Sequence, residues 1–391
     1  MTCRLCGGHS LGEVIDLGTM PLANNLLTHP DEPAPRRPLK AVFCRDCSLM
    51  QLTESTPPDL LFRDYRYFSG QSQTMVAQAH RLVERFVRPG QRVVEIASND
   101  GSLLRHAIAR GARVLGIDPA ENVAAAALAD GVPTRCDYFN PRTARAIRRA
   151  FGAADVIFAN NVLAHVPDPH ELAEGMRILL ADDGAAHVEV PYVLRLLDSG
   201  AFDTIYHEHY SYYSVSALRR LFNAHDLVIT ALHEIPIHGG SLHVQIAHRG
   251  DQAQADRTCE DERRLGLFDD APYHAFGARV QTILADLLAA LDRFEAVGGF
   301  GAAAKAVVLL NRLQLGPDRI PWIADVSPHK QGRYIPGTGQ PVVAPDMLME
   351  ESPDACLLFP WNIADEICRR NAPYLQRGGR FIVPIPELRL I

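Results

Sequence analysis

The chain has 391 residues, 47% of them apolar and 22% charged, with a formal charge of −7 and a pI near 6.1. That balance suits a soluble globular protein of two or three domains and excludes the basic footprint of a nucleic-acid binder. No run of 18 apolar residues offers a membrane span, and the start "MTCRLCGGHS" lacks a signal peptide's apolar core, so a cytoplasmic location is expected.

Cysteines in a cytosolic chain stay reduced, so their spacing carries the information. Cys3 and Cys6 form "CRLC"; Cys44 and Cys47 form "CRDC". Two such turns, each supplying two thiolates, fit one tetrahedral zinc site once they meet in space. Four sulfurs leave no open coordination position, so the metal should be structural. The competing reading is four ordinary thiols or a redox pair. Cys136, Cys259, Cys356 and Cys368 stand alone and read as core residues.

From about residue 75 the pattern alternates. "MVAQAHRLVERFV" reads as helix, "RVVEIASNDGSLLRHAIARG" as strand, loop and helix, and "ARVLGIDPAENVAAAALADG" as strand and helix. "ADVIFANNVLAHVPD" is a further strand with a polar end, followed by the helix "PHELAEGMRILLADDG". This order predicts a parallel sheet covered by helices, with ligands beyond the strand C-termini. The loop "EIASNDG" lacks the glycine spacing of a dinucleotide site. Glu95 brings negative charge to it, and Ala97, Ser98, Asn99, Asp100 and Gly101 turn the chain into the next helix. Asp118, followed by Pro119, ends the second strand, where a carboxylate can take both ribose hydroxyls. Together with Asn160 at the polar strand end, the set suits S-adenosylmethionine, which carries an amino group and a sulfonium, better than a pyrophosphate.

After "AAHVEVPYVLRLLDSGA", which reads as a buried strand and a linker, comes "FDTIYHEHYSYYS". A helical connector over roughly 251–295 leads to "GGFGAAAKAVVLLNRL", "IPWIADVSPHKQGRYIPGTGQPV", "ACLLFPWNIADEICRR" and "GGRFIVPIP". These read as a second α/β region, with Gly298, Gly299 and Gly301 in its first turn and Asp325 ending its second strand. Lys305, Lys330 and Arg333 lie nearby in sequence and could face a diphosphate or be ordinary surface charge.

The pieces "CRLCGG", "MPLANNLL", "CRDCSLMQL", "EIASNDGSLL", "NNVLAHVPD", "FDTIYHEHYSYYS", "HGGSLHV", "GAAAKAVVLLN" and "PHKQGRYIPGT" cover nearly the whole chain in one order. Through them the chain resembles the zinc-containing, S-adenosylmethionine-dependent C-methyltransferases that act on nucleotide-linked keto-deoxysugars. That family's loop can carry Gly where this chain has Ala97. The resemblance implies an α/β protein in three parts: a zinc-binding domain over 1–70, a class I methyltransferase Rossmann-like domain over 71–250, and a C-terminal Rossmann-like domain over 251–391 that helps hold the nucleotide, which in the family is usually dTDP. It also implies that Tyr206, Glu208 and His209 surround the reacting carbon, with Asn161 and His165 nearby.

Methylating carbon next to a ketone needs an enolate, hence a base and a donor to the developing oxyanion. "YHEH" offers histidine, carboxylate and tyrosine in four residues. His209 is the first choice of base and His165 the second; Glu208 would fix the tautomer of His209. An extended chain would put Tyr206 and Glu208 on one face and His207 and His209 on the other, so an irregular loop is required. Tyr65 and Tyr67 are expected to close over the substrate, with His207 and His238 among its contacts. O- or N-methylation of a small metabolite is the competing activity. A non-catalytic nucleotide-sugar binder and an NAD-dependent oxidoreductase are more distant ones.

Overall fold

The computed structural model describes the whole chain except Asp64, Arg66, Tyr67, Ser72 and His238. The contacts expected of Tyr67 and His238 therefore fall outside the described residues. Three sheets organise the rest. The first begins as a long hairpin, β1 (Leu11–Pro21) against β2 (Arg36–Cys44), extended by the short β3 (Met50–Leu52).

The second contains β4 (Arg92–Ile96), β5 (Arg113–Asp118), β6 (Thr134–Cys136), β7 (Ala154–Asn160) and β8 (Leu180–Pro191). All are parallel, as the alternating strand and helix pattern requires. The chain then makes β9 (Ser211–Tyr212), which returns to the first sheet and pairs with β3. It re-enters the second through β10 (Val228–Ile235) and β11 (Ser241–Ala247). The order is β10-β11-β8-β7-β4-β5-β6, with β11 antiparallel to both neighbours. This is the class I methyltransferase arrangement that the sequence led us to expect.

The third sheet holds β12 (Val297–Phe300), β13 (Ile323–Ala324), β14 (Val342–Val343), β15 (Ala355–Leu358), β16 (Arg380–Val383) and β17 (Arg389–Leu390). Its order, β14-β13-β12-β15-β16-β17, reverses between β12 and β15, as in a Rossmann-like sheet. The helices Ala253–Arg264 and Ala271–Leu291 form the expected connector.

Three local readings need correction. The linker expected after β8 is a helix, Val193–Ser199, because Val193, Leu196 and Leu197 bury one face. The helix expected over "PHELAEGMRILLADDG" stops at Leu179, and the residues after it open β8. Cys136, expected in the core, is exposed at the sheet edge; only Cys356 of the four isolated cysteines is fully buried. No helix among the described residues is long and apolar enough to cross a membrane.

Candidate active site

The two C-x-x-C turns meet. Cys3 Sγ lies 3.5 Å from Cys47 Sγ, Cys6 Sγ lies 3.5 Å from Cys44 Sγ, and all four sulfurs fall within 4.8 Å of one another. A zinc ion about 2.3 Å from each of four sulfurs at tetrahedral corners sets them roughly 3.8 Å apart, so the donor set fits the metal. Each turn is closed through a left-handed residue, Gly7 or Ser48, whose N–H reaches back to the Cys3 or Cys44 carbonyl.

The loop after β4 alternates left-handed residues. Ala97, Asn99 and Gly101 have φ of 57°, 50° and 73°. For a residue with a Cβ this conformation costs about 1–2 kcal/mol, which is why a glycine is the natural occupant at 97. Ser98 turns inward; a Cβ on Gly116 of β5 would lie 2.4 Å from its Oγ. Asp118 accepts from the Asn99 and Ala120 N–H groups, both at 2.9 Å, and burial still raises its pKa against them. The Pro119 carbonyl faces the Cys136 sulfur at 3.7 Å. Burial, then the neighbouring Asp100 and Asp118, push the Glu95 carboxyl well above its usual range.

Three buried atoms at these strand ends lack a partner among the described residues: Glu95 Oε2, Ser98 Oγ and Asn160 Oδ1. A cationic, hydroxyl-rich ligand would satisfy them. Asn99 and Asp100 also serve the chain itself. Ser69 N–H donates to Asn99 Oδ1, and Ser69 Oγ and Gly70 N–H donate to Asp100. The same segment is tied at Tyr65, whose N–H and carbonyl engage the Asn122 amide.

Residues 206–209 form the irregular turn that the chemistry called for, closed by His209 N–H to the Tyr206 carbonyl at 2.9 Å. It brings Tyr206 Oη to 2.9 Å from His209 Nε2. His209 Nδ1 lies 3.0 Å from the Thr204 carbonyl, so Nδ1 carries the proton and Nε2 accepts from the tyrosine. That carbonyl takes the tautomer-fixing role expected of Glu208. The Glu208 carboxylate instead accepts from Asn24 Nδ2, at 2.7 and 2.8 Å. His207 is held by the first sheet, its Nε2 donating to the Arg37 carbonyl at 3.2 Å.

His165 packs edge-on to His209, ring centroids 4.7 Å apart. Burial lowers its pKa to about 4 against the opposing hydrogen bond to the Glu208 carbonyl. The turn's other tyrosines are struts: Tyr210 donates to the Thr56 carbonyl and Tyr213 to that of Leu163. Asn161, left-handed at φ 54°, donates from Nδ2 to Glu189 Oε1 at 3.0 Å. Glu189, fully buried, also accepts from Gln78. Neither Asn24 nor Glu189 stood out in the sequence, although "MPLANNLL" contains the first.

The expected cations of the third sheet are mostly committed within it. Lys305 Nζ donates to Asn362 Oδ1 at 2.7 Å and sits 3.9 Å over the Trp361 ring; burial lowers its pKa to about 8, opposed by Asp203. Asp203 accepts from Trp361 Nε1 at 2.8 Å, and burial raises it to about 6. Lys330 donates to the Ala302 carbonyl at 2.9 Å and lies 3.5 Å from Asp325. Arg333 stays half-buried, its backbone closing the turn to Val342.

Comparison with known proteins bears on this arrangement. "C-methyltransferase NovU" of Streptomyces niveus is 37% identical to this chain, covering all of it and 96% of that protein. The chain belongs to this C-methyltransferase family. Family matches agree along its length: "Putative zinc binding domain" over residues 3–62, "Methyltransferase domain" over 67–232 and "C-methyltransferase C-terminal domain" over 236–386. A ubiquinone biosynthesis O-methyltransferase of Psychrobacter arcticus is 32% identical over 33% of this chain and 57% of its own length. Among solved structures, a Haloferax volcanii Trm112–methyltransferase complex aligns with 46% of this chain and 94% of that one at a TM-score of 0.37. Magnesium protoporphyrin IX methyltransferase of Synechocystis aligns with 46% and 80% at 0.35. This C-methyltransferase uses S-adenosylmethionine and carries a structural zinc site.

Proposed function

We propose that the C-methyltransferase acts on a carbon next to the ketone of a nucleotide-linked 4-keto-deoxysugar, through an enolate made by His209. The observation that carries this reading is the Tyr206–His209–Thr204 arrangement. The Thr204 carbonyl keeps the proton on Nδ1, which leaves Nε2 as the basic nitrogen, and Tyr206 offers an O–H beside it. His209 Nε2 would take the α-proton. The C–H electron pair becomes the enolate double bond, and the carbonyl pair moves to oxygen, where Tyr206 donates. His165, held neutral down to about pH 4 by burial, is the weaker base and lines the site as a neutral ring.

When bound, S-adenosylmethionine supplies an electrophilic methyl group. Glu95 and Asn160 offer oxygens to its charged end, Asp118 and Ser98 suit its ribose, and the 97–101 backbone walls the pocket. Tyr65, Asn161 and His207 are read as substrate-side residues. The nucleotide is assigned to the C-terminal domain, 251–391. There a cavity of about 390 Å³ opens beyond β12, β13 and β15, lined by Gly301, Asp325, Glu366 and Arg370. Arg333 is the best placed of the three expected cations to reach a diphosphate, since Lys305 and Lys330 have internal partners.

The test is incubation with methyl-labelled S-adenosylmethionine and a dTDP-linked 4-keto-6-deoxysugar. The expected product carries the new methyl on carbon, and wild type exchanges the substrate's α-hydrogen with heavy water while His209→Ala does not. A methyl on oxygen or nitrogen would replace this reading with the heteroatom one.

A further inference from the structure

Glu208 is a buried carboxylate with an unusual environment. It is 2% exposed, no lysine or arginine pairs with it among the described residues, and one amide nitrogen reaches both of its oxygens. That nitrogen belongs to Asn24, 184 residues away in sequence. Asn24 sits in a turn, closed by Asn25 N–H to the Leu22 carbonyl, where β1 leaves the first sheet. Three residues later Leu27 bridges to Tyr334, in the segment between β13 and β14. The turn is thus fixed on both sides, and its inward amide meets the carboxylate of the residue whose own backbone carbonyl is hydrogen-bonded to His165.

We propose that Asn24 is a positioning residue for methyl transfer: its amide, delivered by the zinc-bearing domain, fixes the Glu208 carboxylate in place and maintains its negative charge. This rests on reading Glu208 as part of the reaction site. The chemistry favours an amide over a cation. A lysine or arginine would neutralise the carboxylate, whereas Asn24 shares an N–H between its two oxygens and leaves the charge intact. Although the turn aims the Glu208 side chain away from its neighbour, a buried negative charge on the same turn would favour the imidazolium formed when His209 takes a proton. Amide orientation and charge are also one choice. Turning Asn24 Oδ1 toward Glu208 would set acceptor against acceptor unless Glu208 were protonated. Burial already lifts the Glu208 pKa to about 7, and the Asn24 hydrogen bonds are what oppose it. Their loss should move the carboxyl higher still, so that it is neutral at neutral pH.

The test compares wild type, Asn24→Ala, the isosteric Asn24→Asp, Glu208→Gln and the double variant Asn24→Ala/Glu208→Gln. Three readouts are used: the pH dependence of kcat with the dTDP-linked 4-keto-6-deoxysugar, S-adenosylmethionine affinity with zinc content, and the infrared carbonyl band of protonated Glu208. Glu208→Gln identifies that band by abolishing it, with no need of substrate. Both Asn24 variants should keep zinc and cofactor affinity. They should lose about ten- to hundred-fold in kcat at neutral pH, the range for a hydrogen bond to a charged group. The acid limb of kcat and the infrared titration should shift together to higher pH. Adding Asn24→Ala to Glu208→Gln should cost little more, since the two act as one unit. If Glu208→Gln is slow but Glu208 titrates at the same pH in both Asn24 variants as in wild type, the Asn24 assignment alone is overturned. If Glu208→Gln turns over at the wild-type rate, the catalytic reading of Glu208 fails, and the proposal with it.

Discussion

The second and third sheets run the same course: a strand, a tight turn with a left-handed glycine, a helix, and a second strand leading to an aspartate, Asp118 in one and Asp325 in the other. They differ in what their polar groups do. In the second sheet Glu95, Ser98 and Asn160 each leave a buried atom without a partner among the described residues. In the third, Asp325 accepts from Ser327 N–H and lies against Lys330, and Lys305 is held by Asn362; among the described residues the Ser327 hydroxyl and Arg312 Nε are left over. The glycines do not separate them: a Cβ on Gly101 would lie 2.9 Å from Val132 and one on Gly116 2.4 Å from Ser98 Oγ. A Cβ on Gly298 would lie 2.4 Å from Trp322, and one on Gly301 2.3 Å from Pro360. Those glycines admit the protein's own side chains. Two sheets of one topology can therefore be told apart by which polar atoms they leave unsatisfied, because a buried unpaired donor or acceptor persists chiefly where a ligand completes it.

The largest effect is expected at the 206–209 turn. His209→Ala should slow methyl transfer about a hundred- to ten-thousand-fold, the usual contribution of a general base, while calorimetric cofactor affinity holds. The counterpart in the third sheet, Lys330→Ala, should appear in thermal denaturation and barely in turnover. A large rise in the sugar nucleotide's KM would instead place that sheet's lysine on the ligand. Asp118→Ala should weaken S-adenosylmethionine binding by roughly 1–3 kcal/mol, since the backbone amides and the ligand's hydroxyls lose their acceptor. Asp325→Ala should leave that affinity unchanged, and equal losses would erase the distinction.

Gly298→Ala should destabilise the protein by about 1–3 kcal/mol through overpacking against Trp322, read from denaturant midpoints. Gly316→Ala, with open space around the added methyl, should be close to neutral. The smallest effect near neutral pH should come from the buried histidines of the second sheet. Burial lowers His165 to about 4, His187 to about 3 and His243 to about 4. A base with a depressed folded pKa contributes stability above its unfolded value near 6.5 and loses it as pH falls toward the folded one. Hydrogen exchange at pH 5 against pH 7.5 should therefore show amides of β8 and β11 losing protection before those of β12 and β15.

Much of this was legible in the sequence where the signal is local. Each C-x-x-C pair closes within four residues, the alternation of strands and helices is a short-range pattern, and Asp118 follows directly from the end of a strand. Legibility fails where a side chain finds a distant partner. Nothing near Asn24 announces Glu208, and nothing near Glu189 announces Asn161. Lys305, a few residues after a glycine turn, could be read as facing a diphosphate or as surface charge; its neighbours in space are Trp361, Asn362 and Asp203. Glu208 was matched with His209 because they adjoin. The turn that joins Tyr206 to His209 sends the intervening side chain elsewhere, and a backbone carbonyl, invisible to any reading of residue types, took over its role.

The return of β9 to the first sheet has a consequence for synthesis. The thiolate cluster is complete once Cys47 has emerged from the ribosome, so zinc can bind early. β3 then waits for its outer partner, Ser211–Tyr212, roughly 160 residues later, or on the order of ten to thirty seconds at ordinary elongation rates. During that interval the nascent chain presents a short open strand edge, Met50–Leu52, whose side chains are buried in the finished protein. A chaperone that shields exposed strand edges should therefore engage ribosome-bound chains halted between residues 60 and 200, and release those halted after residue 250.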